Sequence, residues 1–378
     1  MANKITNTDN YTAIANAIRA KNGSSDTYTP SQMATAISNI PTGTSLPANT
    51  KFGYTKPSII NQIFYTDEYD TSAYTDMSHM FDSCFAEPED GVYTLQLSKL
   101  DTSNVTNMDS IFKGNTYLSD WSSVGLTNFD TSNVIFMGGM FQGCKQANID
   151  IQSAEVIDLS SFDFSNVTHT TYMFKDAIAG GITWPSNINT SSLIGAYQMF
   201  YGFLTENLDL SDFDFSSLEY ADQMFATSQM TSLTMNGCDF TSMSSGHAEF
   251  KKFFYNSRIP TITLRNWKLK DGAILGGSNI ADGMFSGCSS TTTIDMSGWT
   301  IGSSIASTQY MFYKCTSLQT LDISGIDLPN ITTFTNMFGG TSSSSRVPYG
   351  CLIYVKDQDS KDWMTSHFSS YTNVQIKS

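Results

Sequence analysis

Lysine and arginine are scarce in this sequence, at 20 of 378 residues against 35 aspartates and glutamates. Surfaces that neutralise nucleic-acid phosphates need clustered Lys and Arg, so the composition argues against a nucleic-acid partner. Only 15% of the residues are charged, well below the usual quarter of a globular protein. The polar surface must therefore consist mostly of Ser, Thr, Asn and Gly.

Long apolar runs are missing as well. No stretch approaches the ~18 apolar residues of a membrane span, and the N-terminus lacks the apolar core of a secretory signal. We therefore expect no membrane insertion. A protein made in the cytosol without an export signal would act there or leave the cell by another route, such as lysis.

Short catalytic motifs are absent too. The sequence holds no CxxC, HExxH or GxSxG, and the four histidines lack nearby Cys or His partners. We predict a protein that is not an enzyme, with no catalytic residues, no cofactor and no metal site. Asp209, Asp212 and Asp214 leave a calcium ion open as an alternative, because oxygen ligands close in sequence can wrap that ion. The histidines are His79, His169, His247 and His367.

What the sequence does contain is a repeat, marked by a Met-Phe pair or a close substitute. Successive pairs lie 25 to 33 residues apart, a spread that fits a solenoid with loops of varying length. We predict that these pairs are buried structural anchors. Their second residues are Phe81, Phe112, Phe141, Phe174, Phe200, Phe225, Phe254, Phe285, Phe312 and Phe338.

A Ser/Asn/Asp cluster precedes each anchor and ends in an apolar residue, as in DTSNV ending at Val105 and DFSNV ending at Val167. Val167, Met173 and Phe174 stand near i, i+6 and i+7, which is one side of a short helix. Ser165 or Asn166 is suited to cap its first turn. This half of the repeat predicts a short α-helical or 3₁₀ turn on the outside of the coil.

An alternating segment follows each anchor. Alternation sends Ile157 and Leu159 to one face and Asp158 to the other, which predicts strands that pair in parallel with their equivalents one turn away. The fold class predicted is an α/β solenoid with a parallel strand ribbon. The segments are VIDLSSF from Val156, NLDLSDF from Asn207, TITLRNW from Thr261, TIDMSGW from Thr293 and TLDISGI from Thr320.

These two linked motifs resemble the BspA-like leucine-rich repeats of bacterial surface proteins. The resemblance implies a right-handed, leucine-rich-repeat-like coil of about ten turns over residues 70–348. The pattern departs at residues 243–254, where His247 takes the apolar position, and at residues 276–285, where GGSNI stands two residues too close to its anchor. We expect those two turns to be irregular.

The two ends carry different units. Residues 1–42 hold IANAIRAKNGSS and YTPSQMATAI, an order that closely resembles the opening helical module of tail, baseplate and fibre proteins from phages of Gram-positive bacteria. The resemblance implies attachment to other tail proteins and, by analogy with tail fibres, a homotrimer. Residues 43–69 are expected to be a linker. Residues 349–378 resemble the strand-plus-helix segment that closes many of these repeat proteins, and we predict a C-terminal cap there.

Cysteine and tryptophan mostly fall in repeat positions. Cys84, Cys144, Cys288 and Cys315 each stand four residues after the first anchor residue, so buried free thiols are favoured over disulfides. Trp267 and Trp299 share a position with Phe162, Phe213 and Ile326 and are expected to be interior. Trp121 and Trp184 lie in less regular stretches and are better candidates for an exposed contact.

Because leucine-rich repeats commonly bind through their exposed ribbon face, the resemblance implies a receptor contact along the outward strand positions; a merely solvated face is the alternative. A second candidate is the charged loop around residues 86–92, because insertions in solenoids tend to lie where partners bind. The outward row is Gln96, Asp158, Asp209, Thr234, Thr263, Asp295 and Asp322. The loop contributes Glu87, Glu89 and Asp90.

The resemblance of residues 1–42, together with the missing export signal, implies a phage tail fibre or baseplate protein that recognises a glycan or protein on the host surface. Its expected location is the virion, made in the host cytoplasm and released by lysis. A bacterial surface adhesin of the BspA-like type is the main alternative. A polysaccharide-degrading tail enzyme and a purely structural tail component are the others.

Overall fold

A computed structural model describes residues 50–52, 60, 70–84, 93–145, 154–244, 250–302 and 304–377. They form two compact units. Unit 1 takes in the described residues as far as Val167 together with Ala177–Ser186, and unit 2 takes in Thr168–Asp176 and the described residues from Asn187 onward. The helical module expected at residues 1–42 and most of the linker at 43–69 lie outside this set.

The anchor phenylalanines form the centre of each unit. Every one of the ten is at most 1% exposed, as predicted for buried anchors. In unit 1, Phe81, Phe112 and Phe141 stack at centroid distances of 5.8 and 5.9 Å, and Phe52 from the expected linker extends the stack at 5.7 Å. In unit 2, seven rings from Phe174 to Phe338 stack at 5.0 to 5.8 Å.

Unit 1 has short parallel strands at the positions that follow its anchors. β1 pairs with β2, and β3 pairs with β4, both in parallel. The strands are β1 (Tyr93–Thr94), β2 (Leu118–Asp120), β3 (Val156–Asp158) and β4 (Gly181–Thr183). Two 3₁₀ turns, Ser122–Val124 and Leu126–Asn128, follow β2.

Unit 2 is a parallel β-solenoid of about seven turns. Its main sheet has seven strands in the order β16-β15-β14-β11-β8-β6-β5, and every pairing in it is parallel. The strands of this sheet are β5 (Asn207–Asp209), β6 (Ser232–Thr234), β8 (Thr261–Thr263), β11 (Thr293–Asp295), β14 (Thr320–Asp322), β15 (Leu352–Val355) and β16 (Val374–Ile376). The strands of unit 2 outside this sheet are β7 (Asp239–Phe240), β9 (Lys268–Leu269), β10 (Ala273–Ile274), β12 (Thr300–Ile301) and β13 (Ile305–Ser307).

The predicted strand positions and their pairing are confirmed. All five alternating segments begin with a three-residue strand at the predicted residue. Ile157 and Leu159 are fully buried while Asp158 is exposed, because alternate side chains of a strand point to opposite faces. The ribbon of equivalent strands is therefore the solenoid's sheet.

Outside the turn at residues 276–285, the described anchor segments contain no α-helix or 3₁₀ turn, so the expectation of outer helical turns is wrong for those segments. Their backbone includes isolated residues in the left-handed conformation, such as His79 with a φ of 57° and Ser83 with a φ of 58°. Alternate N–H groups donate to the next coil, as from Phe81 to the Ile111 carbonyl at 2.9 Å. The remaining N–H groups close tight turns, as from Met80 to Met77 at 3.1 Å. A helix would keep these bonds within one segment, whereas here half of them join neighbouring coils.

The DTSNV cluster also joins coils rather than capping a helix. The Thr102 hydroxyl donates to the Asp130 carbonyl at 2.9 Å and accepts from the Asp130 N–H at 2.8 Å. Asn166, expected to cap a helix, donates instead to the Ser132 carbonyl at 2.7 Å. The Asp of the cluster accepts from the N–H two residues on, as Asp163 does from Ser165 at 2.8 Å. The Asp, Thr and Asn side chains of the motif therefore satisfy backbone groups that a short coil would leave unpaired.

The turn at residues 276–285 differs from its neighbours. It holds a 3₁₀ turn at Ile280–Asp282 closed by a capping box between Asn279 and Asp282. Gly283 has φ −65°, where the other anchors are preceded by a left-handed residue. Part of the other irregular stretch, residues 245–249 with His247, lies outside the structure's described ranges.

The C-terminal segment forms a strand, a helix and a second strand. β15 pairs with β14, helix α1 (Gln358–His367) follows, and β16 pairs with β15. Asp357 caps α1 by accepting from the Ser360 N–H at 2.9 Å, and Trp363 packs edge-on against Phe334 at 4.9 Å. A further 3₁₀ turn lies at Leu328–Asn330. Within the described ranges, no helix has the length and apolar content of a membrane span.

Candidate functional site

In unit 2 the structure brings five of the predicted receptor-binding residues into one row. They are the last residues of successive strands and stand in register across the main sheet. We call this set the strand row: Asp209, Thr234, Thr263, Asp295 and Asp322. Asp209 is exposed, whereas Thr234, Thr263 and Asp295 are half-buried.

The carboxylates of the strand row hold the chain where it leaves each strand. Asp209 accepts from the Ser211 N–H at 2.9 Å, and Asp295 accepts from the Ser297 N–H at 3.0 Å. Asp295 also receives the Arg265 Nε–H at 2.6 Å. Burial alone would raise the pKa of Asp295, but the hydrogen bonds from Ser297 and the nearby Arg265 hold it below its ordinary value. These aspartates therefore have a structural role in every turn that carries them.

Asp322 does not face solvent, so its expected place in an exposed row is wrong. It is 3% exposed, and its carboxylate lies 2.6 Å from the Lys377 ammonium. The hydrogen bond to Asp322 raises the pKa of Lys377. The cause is the C-terminal cap, because β15 and β16 continue the sheet beyond β14 and bring Lys377 over this position. Asp322 is therefore covered by the C-terminal cap and is not available for a receptor contact.

The predicted contact residues of unit 1 are spread out. Asp158 ends β3, is exposed and accepts from the Ser160 N–H at 3.0 Å. Gln96 is exposed but follows β1 without belonging to a strand. The three acidic residues of the loop candidate, Glu87, Glu89 and Asp90, lie outside the part of the chain that the structure describes.

The cysteines and the aspartate cluster have structural surroundings. All six cysteines are free and buried, as predicted for Cys84, Cys144, Cys288 and Cys315, and burial raises the pKa of the Cys238 thiol to about 12. Asp214 accepts from the Ser216 N–H at 2.8 Å, the same turn-forming bond that Asp209 makes. In the described ranges no group of three or more His, Cys, Asp or Glu side chains is placed to hold a metal ion.

The burial of the four tryptophans agrees only in part with the prediction. Trp267 and Trp299 are interior, at 0% and 6% exposed, and stack at 5.0 Å. Trp121 is also only 6% exposed and packs edge-on against Phe112 and Phe141 at 5.7 and 5.2 Å, so its expected exposed contact is wrong. Trp184 is half-buried against Phe164.

A second surface, which the sequence analysis missed, lies on the outside of the anchor segments in unit 2. Residues one, two or four before an anchor and two after it point away from the phenylalanine stack, and in successive turns many of them are tyrosine. The sequence contains a signal for this surface, because tyrosines recur at these fixed distances from the Met-Phe pairs. We call this surface the tyrosine face: Tyr172, Tyr197, Tyr201 and Tyr220, with Lys175, Gln198 and Gln223 between them.

The side chains of the tyrosine face hold one another in place. The rings of Tyr172 and Tyr197 meet edge to face at 5.4 Å. The Lys175 ammonium lies 4.7 Å from the Tyr172 ring centre and 4.8 Å from that of Tyr201, at cation–π distance. It also donates to the Gln198 amide oxygen at 2.6 Å. This network fixes rings and amides that would otherwise lose rotamer freedom on binding a ligand.

One end of the tyrosine face forms an open depression of about 510 Å³. Burial raises the pKa values of Tyr197 and Tyr220, with Tyr172 adding to the shift at Tyr197 and Glu219 to that at Tyr220. Both phenols therefore stay protonated at neutral pH and can donate a hydrogen bond. The depression is lined by Thr171, Tyr197, Tyr220, Asp222 and Gln223.

The stacked coils and their parallel sheet define a β-solenoid repeat protein. The chain matches the family model described as "Mycoplasma protein of unknown function, DUF285" over residues 50–179, 152–267 and 278–348. Because these segments cover well over half of the 378 residues, the chain belongs to this family. The match supports the BspA-like repeat resemblance, and its start at residue 50 agrees with the place of Phe52 in the stack. No curated protein and no solved structure matches the chain.

Proposed function

We propose that this chain is a non-catalytic protein that recognises a cell surface through its solenoid. The observation that carries the proposal is the tyrosine face, a set of half-buried rings and polar groups displayed on a scaffold whose interior is filled by the repeat. Tyrosine is favoured at binding surfaces because its ring is apolar and its hydroxyl is polar. Rigid presentation reduces the entropy lost on binding.

Several observations favour binding over catalysis. The carboxylates of Asp209 and Asp295 are committed to turn-forming hydrogen bonds, and a glycan hydrolase would need two carboxyl groups facing a cleft about 5 to 10 Å apart. The thiols of Cys84 and Cys144 are buried and their pKa values are raised by that burial, which opposes the thiolate that a nucleophile requires.

Within this function we place the chain in the tail of a phage of Gram-positive bacteria, in the fibre or baseplate. The support is the resemblance of residues 1–42 to the opening module of such proteins. That module would attach the chain to other tail or baseplate proteins, and homotrimers are the form proposed by analogy with tail fibres. The corresponding location is the virion, reached by assembly in the host and release by lysis.

A bacterial surface adhesin is the second candidate, and the family match favours it because the repeat resembles those of bacterial surface proteins. The two candidates share the binding solenoid and differ in what carries it. Antibodies against the purified chain should label tail tips in electron micrographs of phage particles if the tail assignment holds. Labelling of the bacterial envelope without any phage particle would favour the adhesin.

Binding itself is tested with the full chain, fluorescently labelled, on a panel of Gram-positive cells. We expect saturable binding to at least one species and competition with phage adsorption to those cells. Heat-unfolded protein is the control, since recognition depends on the coiled scaffold. A folded chain that binds none of the cells would leave a purely structural tail component as the better account.

A further inference from the structure

The depression on the tyrosine face combines flat rings with hydroxyl, amide and carboxylate groups. We propose that it binds a neutral pyranose unit of a surface polysaccharide, an inference that rests on the proposed binding function and names its ligand class. Its volume of about 510 Å³ falls within the range of about 300 to 1,000 Å³ usual for small-molecule sites. A sugar ring needs both kinds of contact, because it has apolar C–H faces and a rim of hydroxyls.

The Tyr220 ring is positioned by the backbone of the preceding coil. Gly195 pairs with Tyr220 across neighbouring coils, and a Cβ at Gly195 would come within 2.5 Å of the ring. Glycine therefore lets the Tyr220 ring lie over the backbone of the preceding coil, and the ring centre is 6.1 Å from that of His169, which pairs with Gly195 from one coil further back. A ring held in this way offers a preformed flat surface for the C–H face of a sugar.

The polar groups around the rings match sugar hydroxyls. Gln198 donates from its amide to the Tyr197 hydroxyl oxygen at 3.0 Å and to the Gln223 amide oxygen at 3.2 Å. Because the Tyr197 oxygen accepts this bond, its own proton can be donated to a sugar oxygen. The Asp222 carboxylate, with about four lone-pair sites, can accept from sugar hydroxyls.

Charge selects neutral sugars over anionic ones. Of the five lining side chains, Asp222 is the one that carries a charge, and the whole chain has a formal net charge of −15. The nearby Lys175 is held over Tyr172 and Tyr201 and bonded to Gln198. A uronate or a glycerol phosphate would meet the Asp222 carboxylate without a matching cation in the lining, so both should bind less well.

Saturation-transfer NMR on the full chain tests this ligand class. The probes are neutral tetrasaccharides of glucose, galactose, rhamnose and N-acetylglucosamine, with tetragalacturonate and a glycerol phosphate oligomer as anionic counterparts. We expect transfer to the C–H protons of at least one neutral probe, and Tyr220→Ala should weaken its binding at least about tenfold. Transfer to none of the neutral probes, or stronger binding of an anionic one, would overturn the proposal.

Two further variants test whether sugar binding depends on the position of the Tyr220 ring and not on the loss of any exposed aromatic ring. Gly195→Ala keeps the tyrosine but displaces its ring, so it should weaken sugar binding as well. Phe136→Ala removes an exposed ring from the position in unit 1 that corresponds to Tyr220, four residues before its anchor, and should leave sugar binding unchanged. If the affinity for cells were unchanged both by Tyr220→Ala and by neutral-sugar competitors, the proposed ligand class would be refuted while the binding function would remain in place.

Discussion

Units 1 and 2 have the same interior and different outer surfaces. Both stack their anchor phenylalanines at nearly equal spacing, 5.7 to 5.9 Å in unit 1 and 5.0 to 5.8 Å in unit 2. Both link successive coils through a buried threonine hydroxyl, Thr102 in unit 1 and Thr190 in unit 2. The same residue types therefore recur at the interior positions of both units, because each coil must pack on the next.

The outer positions of the anchor segments do not follow the repeat. Where unit 2 has the tyrosine face, unit 1 has no tyrosine, and most of its equivalent side chains are small, charged or amide, such as His79, which lies 2.7 Å from Asp82. Phe136 is the aromatic exception. The unit 1 residues one before and two after the first anchor residue are His79, Asp82, Ser110, Lys113, Gly139 and Gln142, and those two and four before it are Ser78, Asp76, Asp109, Asn107, Gly138 and Phe136. The comparison teaches that the repeat specifies the scaffold, and that departures from it on the outside are where a ligand surface can be found.

The largest effect that tests this comparison comes from the shared interior. Phe225→Ala in unit 2 and Phe112→Ala in unit 1 should each lower the free energy of unfolding by about 3 to 5 kcal/mol, because each removes a fully buried ring between two others. Urea unfolding followed by circular dichroism measures the loss. Phe225→Leu keeps most of the volume and should cost less. A loss below about 1 kcal/mol in one unit alone would mean that the two interiors are not equivalent.

A smaller effect comes from the threonine link. Thr102→Val keeps the shape but leaves the N–H and carbonyl of Asp130 without the hydroxyl that serves both, at 2.8 and 2.9 Å. We expect a loss of about 1 to 3 kcal/mol, and the same for Thr190→Val, whose hydroxyl serves Asp214 in unit 2. Thr102→Ser keeps the hydroxyl and serves as the control in thermal melts. Equal melting temperatures for Thr102→Val and Thr102→Ser would show that the hydroxyl does not link the coils.

The smallest effect is a pH dependence at the Asp of the DTSNV cluster. Hydrogen bonds from the Ser132 side chain and N–H lower the pKa of Asp130 below its ordinary value of 3.8. The stability that this bond contributes is therefore complete above pH 3.8 and is lost as the pH falls through the lower pKa of the folded state. The loss should be under about 1 kcal/mol because the carboxylate is close to solvent.

Asp130→Asn should keep the turn without titrating, because Asn189 makes the same two bonds to Ser191 at 3.1 and 2.8 Å in its own coil. Acid titration of the melting temperature compares the two proteins. Parallel curves for the variant and the parent between pH 5 and pH 2 would rule out Asp130 as a source of the acid dependence.

Much of the scaffold could be predicted from the sequence because it depends on periodicity. Alternation located the strands, the common position of Trp267 and Trp299 indicated their burial, and the closing segment indicated a strand and a helix. The backbone of the anchor segments could not be predicted in this way. A spacing of i, i+6 and i+7 puts Val167, Met173 and Phe174 on one side of a helix, yet all three are equally buried in the non-helical segment that the structure shows. Only the hydrogen bonds between coils distinguish the two.

The surface was less predictable because it depends on how coils meet. Asp322 fits the outward pattern of its strand, yet Lys377 covers it from a strand that follows the cap helix. Trp121 lies in an irregular stretch, yet it is buried edge-on against the stacked rings of Phe112 and Phe141. The tyrosine face is assembled from residues about 25 apart, and its network becomes visible only when their coils stack.

The most direct test of the central claim compares Tyr220→Ala with Phe136→Ala in binding to the cells that the full chain recognises. Both variants remove a partly exposed aromatic ring from the same position of the repeat, one in each unit. We predict that Tyr220→Ala lowers the affinity at least about tenfold with an unchanged melting temperature, and that Phe136→Ala binds as the parent does. Parent-like binding by Tyr220→Ala, or an equal loss in both variants, would contradict the assignment of recognition to the tyrosine face.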